Sequence, residues 1–100
     1  MGITIRIPTP LRRFTQGQGL VEALGQDISE VFQDLDSRYP GIRDRLYDGE
    51  GIRRFINVYV NEEDIRFLSG EKTGVREGDT VSIIPAISGG SEGGMDVSFQ

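Results

Sequence analysis

The sequence contains no cysteine and no histidine. Without cysteine, the chain has no disulfide, no thiol nucleophile and no thiolate metal site. Without histidine, it lacks the commonest general base and the commonest transition-metal ligand. No group of residues combines a nucleophile, a base and an orienting partner. We therefore expect a protein that is not an enzyme by itself and that binds no metal and no cofactor.

Long apolar runs and an excess of positive charge are also missing. No stretch approaches the roughly 20 apolar residues that cross a bilayer, and the N-terminus lacks the basic region and apolar run of a secretory signal. The net charge of −5 disfavours nucleic-acid binding, which normally needs a basic surface. We expect a cytoplasmic domain with no membrane or nucleic-acid partner.

Periodicity predicts most of the secondary structure. Residues 3–7 (ITIRI) alternate apolar and polar positions, as a strand with one buried face does, and residues 20–24 (LVEAL) predict a second strand. Asp27 and Glu30 have the spacing of a capping box and open a helix that ends at Pro40. The apolar stripe of this helix consists of Ile28, Val31, Phe32, Leu35 and Tyr39.

The second half of the chain predicts mainly strands. Residues 41–54 are interpreted as an ordered loop or one helical turn, and residues 55–60 (FINVYV) as a strong strand. Residues 61–64 (NEED) predict a turn, residues 65–68 a short return strand, and residues 80–84 the last strand. Acidic turns such as NEED and residues 76–79 (REGD) are typical of hairpins and do not by themselves indicate a metal site.

This order of elements favours an α+β fold. The compact arrangement for it is the ubiquitin-like β-grasp, a mixed sheet packed on one main helix. Its first and last strands lie side by side in parallel at the sheet centre. We predict a β-grasp domain over residues 1–88 and a flexible tail over residues 89–100.

The tail contains two diglycines, Gly89-Gly90 and Gly93-Gly94. Pro85 is predicted to end backbone pairing, so that the small residues after it form a thin stalk made of Ala86, Ile87 and Ser88. A diglycine on such a stalk has no Cβ to obstruct entry into a narrow channel of another protein. A frayed terminus is the alternative reading of the same composition.

Residues 81–90 (VSIIPAISGG) resemble the ending of the ubiquitin-like sulfur carriers of the MoaD/ThiS family. Residues 53–70 (RRFINVYVNEEDIRFLSG) and 41–48 (GIRDRLYD) are most similar to the CysO-type carriers, which feed a cysteine synthase. The likeness spans residues 3–90 and implies the β-grasp fold.

The resemblance also implies a chemistry. In such carriers an E1-like activating enzyme uses ATP to adenylate the C-terminal glycine, here Gly90, and a sulfur donor displaces AMP to leave a thiocarboxylate. In the cysteine branch the thiocarboxylate attacks an activated serine derivative held by a pyridoxal-phosphate-dependent, cysteine synthase-like enzyme. After an acyl shift, a metallopeptidase releases cysteine.

This chain departs from the family by continuing past the diglycine with residues 91–100 (SEGGMDVSFQ). Gly90 then has no free carboxylate, so the sequence predicts a precursor that a metallopeptidase trims at the Gly90–Ser91 bond. A cut after Gly94 is the rival, but Gly90 has the family's spacing from Pro85.

Other functions remain open. If the protein is a ubiquitin-like modifier, its Gly90 is joined to lysines of target proteins. Carriers of this type also supply sulfur for molybdopterin, thiamine or transfer-RNA thiolation. A plain interaction domain with an inert tail is a further alternative. For the carrier, Phe55, Tyr59 and Phe67 are candidate contacts to a partner, whereas a small second core under residues 41–54 is the competing interpretation of these aromatics.

Overall fold

The structure is a computed structural model that describes residues 2–86. Both diglycines, and the predicted domain boundary at residue 88, lie outside the described residues. In chain order the strands are β1 (Ile3–Arg6), β2 (Leu20–Ala23), β3 (Tyr47–Asp48), β4 (Gly51–Ile52), β5 (Ile56–Val60), β6 (Glu63–Asp64) and β7 (Thr80–Pro85). The α-helices are α1 (Ile28–Arg38) and α2 (Ile42–Leu46), and three 3-10 helices span Thr9–Phe14, Ile65–Phe67 and Gly70–Lys72.

Five strands form one mixed sheet in the order β2-β1-β7-β5-β6. The first and last strands are parallel neighbours, with Ile5 opposite Val81, and the outer pairs are antiparallel. The predicted β-grasp arrangement is therefore confirmed. Within residues 2–86, no helix has the length and apolarity to span a membrane.

Helix α1 covers one face of this sheet, and its start follows the predicted cap. The Asp27 side chain accepts a hydrogen bond from the Glu30 backbone N–H at 2.9 Å. The Glu30 carboxylate reaches back to the N–H of Gln26, also at 2.9 Å, one residue before the position that a regular capping box uses. The bond to Asp27 satisfies a donor that the first turn of a helix leaves without a partner, and the bond to Glu30 fixes the residue before the cap.

The core lies between α1 and the sheet. Four of the five predicted stripe residues on α1 are fully buried, and Tyr39, at the C-cap, is half-buried and packs against them. Alternate residues of the strands complete this core, as their period of two requires. The buried apolar strand residues are Ile3, Ile5, Val21, Ala23, Ile56, Val58, Val60, Val81 and Ile83.

The prediction of a return strand over residues 65–68 is wrong. Asn61 (φ 57°) and Glu62 (φ 146°) form the turn by themselves, so that Glu63 already pairs with Val60. The Asp64 side chain then accepts a hydrogen bond from the Arg66 backbone N–H at 2.8 Å. This bond caps a 3-10 helix and ends the strand after two residues.

Residues 41–54 are more regular than the predicted loop or single helical turn. They form helix α2 and a small hairpin of β3 and β4, and the expected anchors Ile42 and Leu46 are buried. Gly41 precedes α2 with φ 100°, in the left-handed region that favours glycine. The 3-10 helix Thr9–Phe14 was not predicted; it buries Leu11.

Candidate functional site

Strand β7 carries the root of the C-terminal tail. Pro85 lies opposite Ile56 in the antiparallel pair with β5, and the N–H of Ala86 donates to the carbonyl oxygen of Phe55 at 2.6 Å. The prediction that Pro85 ends backbone pairing is therefore wrong, because pairing continues through Ala86. Successive N–H groups of a strand point to opposite sides. The missing N–H of Pro85 falls on the β1 side, where pairing with β1 has already ended at Ser82.

The residues predicted to react or to thread into a partner mostly lie beyond this point. Of the threading residues, Pro85 and the exposed Ala86 are described. Ile87, Ser88, Gly89, Gly90 and Ser91 lie outside the described residues, so their roles stay predictions. The structure does show that Ala86 directly follows the inner strand β7 and is hydrogen-bonded to Phe55.

The face of the sheet that points away from α1, here called the open face, is partly apolar. Its side chains come from the strand positions that alternate with the core. Leu20 is 60% exposed and Ile84 is 47% exposed. Leu20 lies on β2, which borders β1, and Ile84 lies on β7, which lies between β1 and β5. The open-face residues are Thr4, Arg6, Leu20, Glu22, Asn57, Tyr59, Thr80, Ser82 and Ile84.

The three aromatics proposed as partner contacts are not core residues. Phe55 is 48% exposed and Phe67 is 86% exposed, while Tyr59 is half-buried on the open face. The second small core that competed with this interpretation does not use them. The partly buried side chains packed against the core are instead Phe14, Tyr39, Tyr47, Ile52 and Val75. Contact of Phe55, Tyr59 or Phe67 with a partner stays a prediction.

An ion pair at the edge of the open face was missed in the sequence. Asp64 is only 8% exposed, and its carboxylate accepts a hydrogen bond from Arg66 Nη2 at 2.8 Å. The same Nη2 donates to Asn57 Oδ1 on β5. The spacing D-x-R after a turn is the only local signal, and it does not reveal the contact to Asn57. The pair fixes the Arg66 side chain beside β5.

This pairing lowers the pKa of Asp64. The cause is first the hydrogen bond from the Arg66 side chain and then the bond from its backbone N–H. A carboxyl whose pKa is lower in the folded state stabilises the fold above its ordinary pKa of about 3.9. That contribution disappears as the pH falls through the folded-state pKa, because the unfolded chain then binds more protons.

When the pH is lowered below about 4, the unfolding free energy of the Asp64→Asn variant is therefore expected to fall less than that of the unaltered protein. Urea unfolding measured from pH 2 to pH 7 tests this expectation. Glu63→Gln, which removes an exposed carboxylate of the same turn, is the matched control. Equal pH profiles for all three proteins would show that the Asp64–Arg66 pair does not contribute.

The acidic turns have structural roles. Asp79 accepts hydrogen bonds from the Asn61 side chain at 3.1 Å and from the Arg76 N–H at 3.0 Å, and these bonds lower the pKa of Asp79. Asn61 Oδ1 in turn accepts from the N–H of Thr80 at 3.0 Å. Among residues 2–86, no three acidic residues converge as metal ligands.

The sequence model of the ThiS family matches residues 5–90. The chain belongs to the ThiS family. The match covers the sheet except for the first two residues of β1, as well as helix α1 and the diglycine at positions 89 and 90, so the family relationship and the β-grasp architecture agree.

The proteins similar to this chain include sulfur carriers and a protein modifier. The chain is 45% identical over 93 residues to the sulfur carrier protein CysO of Mycobacterium tuberculosis, which covers 90% of this chain and all of that protein. It is also 30% identical to small archaeal modifier protein 3 of Haloferax volcanii, over 63% of this chain and 68% of that protein. These relatives are named as carriers and modifiers, not as enzymes.

Solved structures of similar proteins have the same fold. The CysO chain in the complex of BexX and CysO from Amycolatopsis orientalis superposes with a TM-score of 0.85 at 48% identity, covering 89% of this chain and all of that one. Mycobacterium tuberculosis CysO gives a TM-score of 0.82 at 44% identity, with 85% and 99% of the two chains covered.

Proposed function

We propose that the protein is a sulfur carrier whose reactive group is the C-terminal carboxylate of Gly90. The observation that carries the proposal is that the family match ends at this residue. The geometry of the tail root supports it. Because β7 lies in the middle of the sheet and is paired through Ala86, it holds the start of the tail in a fixed place. Three residues then separate Ala86 from Gly90, the proposed reactive residue.

The activation follows from the chemistry of carboxylates. A free carboxylate is a poor acyl electrophile, so an E1-like activating enzyme joins it to AMP from ATP and releases pyrophosphate. A sulfur donor then attacks the carbonyl carbon of Gly90, the bond to the AMP oxygen breaks, and a thiocarboxylate remains. The chain has no cysteine, so in this scheme the sulfur is carried by the C-terminal thiocarboxylate and not by a side chain.

We further propose cysteine biosynthesis as the destination of the sulfur, because the chain is 45% identical to a sulfur carrier protein named CysO, the type of carrier that the sequence resemblance links to a cysteine synthase. The acceptor reaction is then that of a pyridoxal-phosphate-dependent, cysteine synthase-like enzyme. The complex of BexX and CysO supports the general point that a carrier of this type docks on a partner protein. Molybdopterin, thiamine and transfer-RNA thiolation are the alternative destinations.

The test uses a version of the protein that ends at Gly90. Incubated with ATP, the activating enzyme of its host and sulfide, it is expected to gain the mass difference of one oxygen replaced by one sulfur. The same mixture without ATP is the control, because the thiocarboxylate requires the adenylate. The activating enzyme is first shown to be active by its adenylation of a carrier that it is known to use. If this active enzyme gives no mass gain on the version ending at Gly90, the proposal is contradicted.

The carrier also requires removal of residues 91–100, which we assign to a metallopeptidase that cuts the Gly90–Ser91 bond. Intact-mass measurement of the protein isolated from its native host tests this step directly. A species that ends at Gly90 is expected. Retention of residues 91–100 in all molecules would contradict both the processing step and the carrier role.

A second function is a protein modifier, which the 30% identity to small archaeal modifier protein 3 favours. The same adenylate would then be attacked by a lysine amine of a target, forming an isopeptide bond to Gly90. Peptide mass spectrometry of host proteins separates the two functions. Lysines that carry the C-terminal residues of this chain would establish the modifier.

A further inference from the structure

A groove of about 520 Å³ lies where the ends of β1 and β7 meet. Leu20 and Ile84 contribute apolar side chains to it, and Pro85 places it at the root of the tail. Among the described residues, its charged lining residues are Arg6 and Arg12, and no Asp or Glu of residues 2–86 lines it. Because the whole chain has a net charge of −5, this is a local positive site on an acidic protein, and it favours a negatively charged ligand.

The Arg12 side chain is held in one orientation inside this groove. Its Nε donates to the carbonyl oxygen of Ile7 at 3.0 Å. Its guanidinium lies against Gly19, where an added Cβ would come within 3.1 Å of the Arg12 Cζ and Nη2 atoms. The Arg12 carbonyl oxygen also accepts hydrogen bonds from the N–H groups of Thr15 and Gly17, and these bonds fix the backbone at Arg12. The absence of a side chain at Gly19 therefore makes room for the guanidinium.

The outer nitrogens of this guanidinium have no protein partner among residues 2–86. The two salt bridges in that part of the chain join Arg38 to Asp34 and Arg66 to Asp64, and the described hydrogen bond of the Arg12 side chain uses Nε. An oriented guanidinium with unpaired Nη atoms presents the planar pair of donors that binds a carboxylate with two parallel hydrogen bonds.

We infer that Arg12 binds a carboxylate side chain of the activating enzyme, and that an apolar side chain of this enzyme packs on Leu20 and Ile84. The inference rests on the proposed function, in which the tail enters that enzyme's active site. Since Pro85 lines the same groove, a partner seated there holds the tail at its root. This position directs the residues after Pro85 along the partner's surface.

The experiment measures the affinity of the version ending at Gly90 for the activating enzyme of its host, by calorimetry without ATP or sulfide. Arg12→Ala is expected to raise the Kd about tenfold or more, because it leaves the enzyme's carboxylate unpaired. Arg12→Lys is expected not to restore the affinity, since an ammonium group lacks the paired donors. Arg45→Ala, which removes an exposed arginine on α2, is the matched control with an unchanged Kd.

Gly19→Ala provides a second variant that keeps Arg12 itself. The added methyl group would lie 3.1 Å from Arg12 Cζ and Nη2, so the guanidinium must shift by a few tenths of an ångström. The Kd is expected to rise, by less than for Arg12→Ala. Thermal unfolding of each variant verifies that it is folded. A Kd equal to that of the unaltered protein for both Arg12→Ala and Gly19→Ala overturns the inference, as does full binding by Arg12→Lys.

The chain's own extension is the competing occupant of the groove. NMR spectra that compare the backbone amide chemical shifts of the full chain with those of the version ending at Gly90 decide this point. Displaced Gly19 and Leu20 signals in the full chain would place residues 91–100 in the groove and overturn the assignment to the enzyme. Matching signals support it.

The two hypotheses fail separately. If the version ending at Gly90 gains sulfur but Arg12→Ala binds normally, the inference fails and the proposed function stands. If binding depends on Arg12 but no sulfur is gained, the proposed function fails and the docking site stands.

Discussion

Of three versions that end at Gly90, Gly94 and Gln100, only the first is expected to become a good substrate of the activating enzyme. In the other two, the Gly90 carbonyl is part of a peptide bond and the free carboxylate lies further along the chain. Four extra residues span up to about 13 Å, whereas misplacing a reacting group by about 1 Å can cost a hundredfold in rate. We expect an initial rate of ATP–pyrophosphate exchange at least about a hundredfold lower for these two versions.

The version ending at Gly94 is the decisive control, because it also terminates in a diglycine. Intact mass before and after the assay verifies that no version has been trimmed during the reaction. Equal rates for the Gly90 and Gly94 versions would show that the enzyme does not discriminate by the distance between β7 and the terminal carboxylate. Exchange supported by the untrimmed full chain would contradict the precursor hypothesis.

Phe32→Ala is expected to lower the free energy of unfolding by about 3–5 kcal/mol, the usual range for removing a buried aromatic ring. Phe32 is fully buried in α1, and its ring meets the edge of Tyr47 at a centroid distance of 6.2 Å. For a domain of this size the midpoint temperature falls by roughly 4–8 °C per kcal/mol. Urea denaturation at 25 °C and a thermal melt measure the two quantities.

Phe67→Ala is the matched control for this substitution. It removes the same side chain from a position that is 86% exposed, so the unfolding free energy is expected to change by no more than about 0.5 kcal/mol. Similar losses in the two variants would show that the core does not depend on Phe32. A Phe67→Ala variant with full stability and weaker binding to the activating enzyme would support the predicted partner contact.

Prediction from sequence worked where burial follows a local period. Ile3 and Ile5 on β1, and Phe32 on α1, are buried as the periods of two and 3.6 residues require. The prediction failed at Ile65 and Phe67, whose alternation resembles a strand. There the backbone follows the turn at Asn61 and the cap made by Asp64, which are single interactions that hydrophobic periodicity does not report.

The candidate site divides in the same way. The tail residues up to Gly90 and their resemblance to sulfur carriers are features of a continuous segment, so the sequence displays them directly. The exposed fractions of Phe55 and Phe67 were beyond sequence reasoning, because each depends on which elements pack nearby. The extent of pairing at Pro85 likewise depends on the end of the neighbouring strand β1.

By itself, the sequence determined the fold class, the absence of thiol and imidazole chemistry, and the diglycine that the proposed function uses. Only the tertiary structure brought Arg12 and Gly19 into one groove with Ile84 and Pro85. Local patterns report which residues are buried, since burial repeats with the period of a helix or a strand. They do not report which exposed residues meet, because that depends on the parallel pairing of β1 with β7 across more than seventy residues of chain.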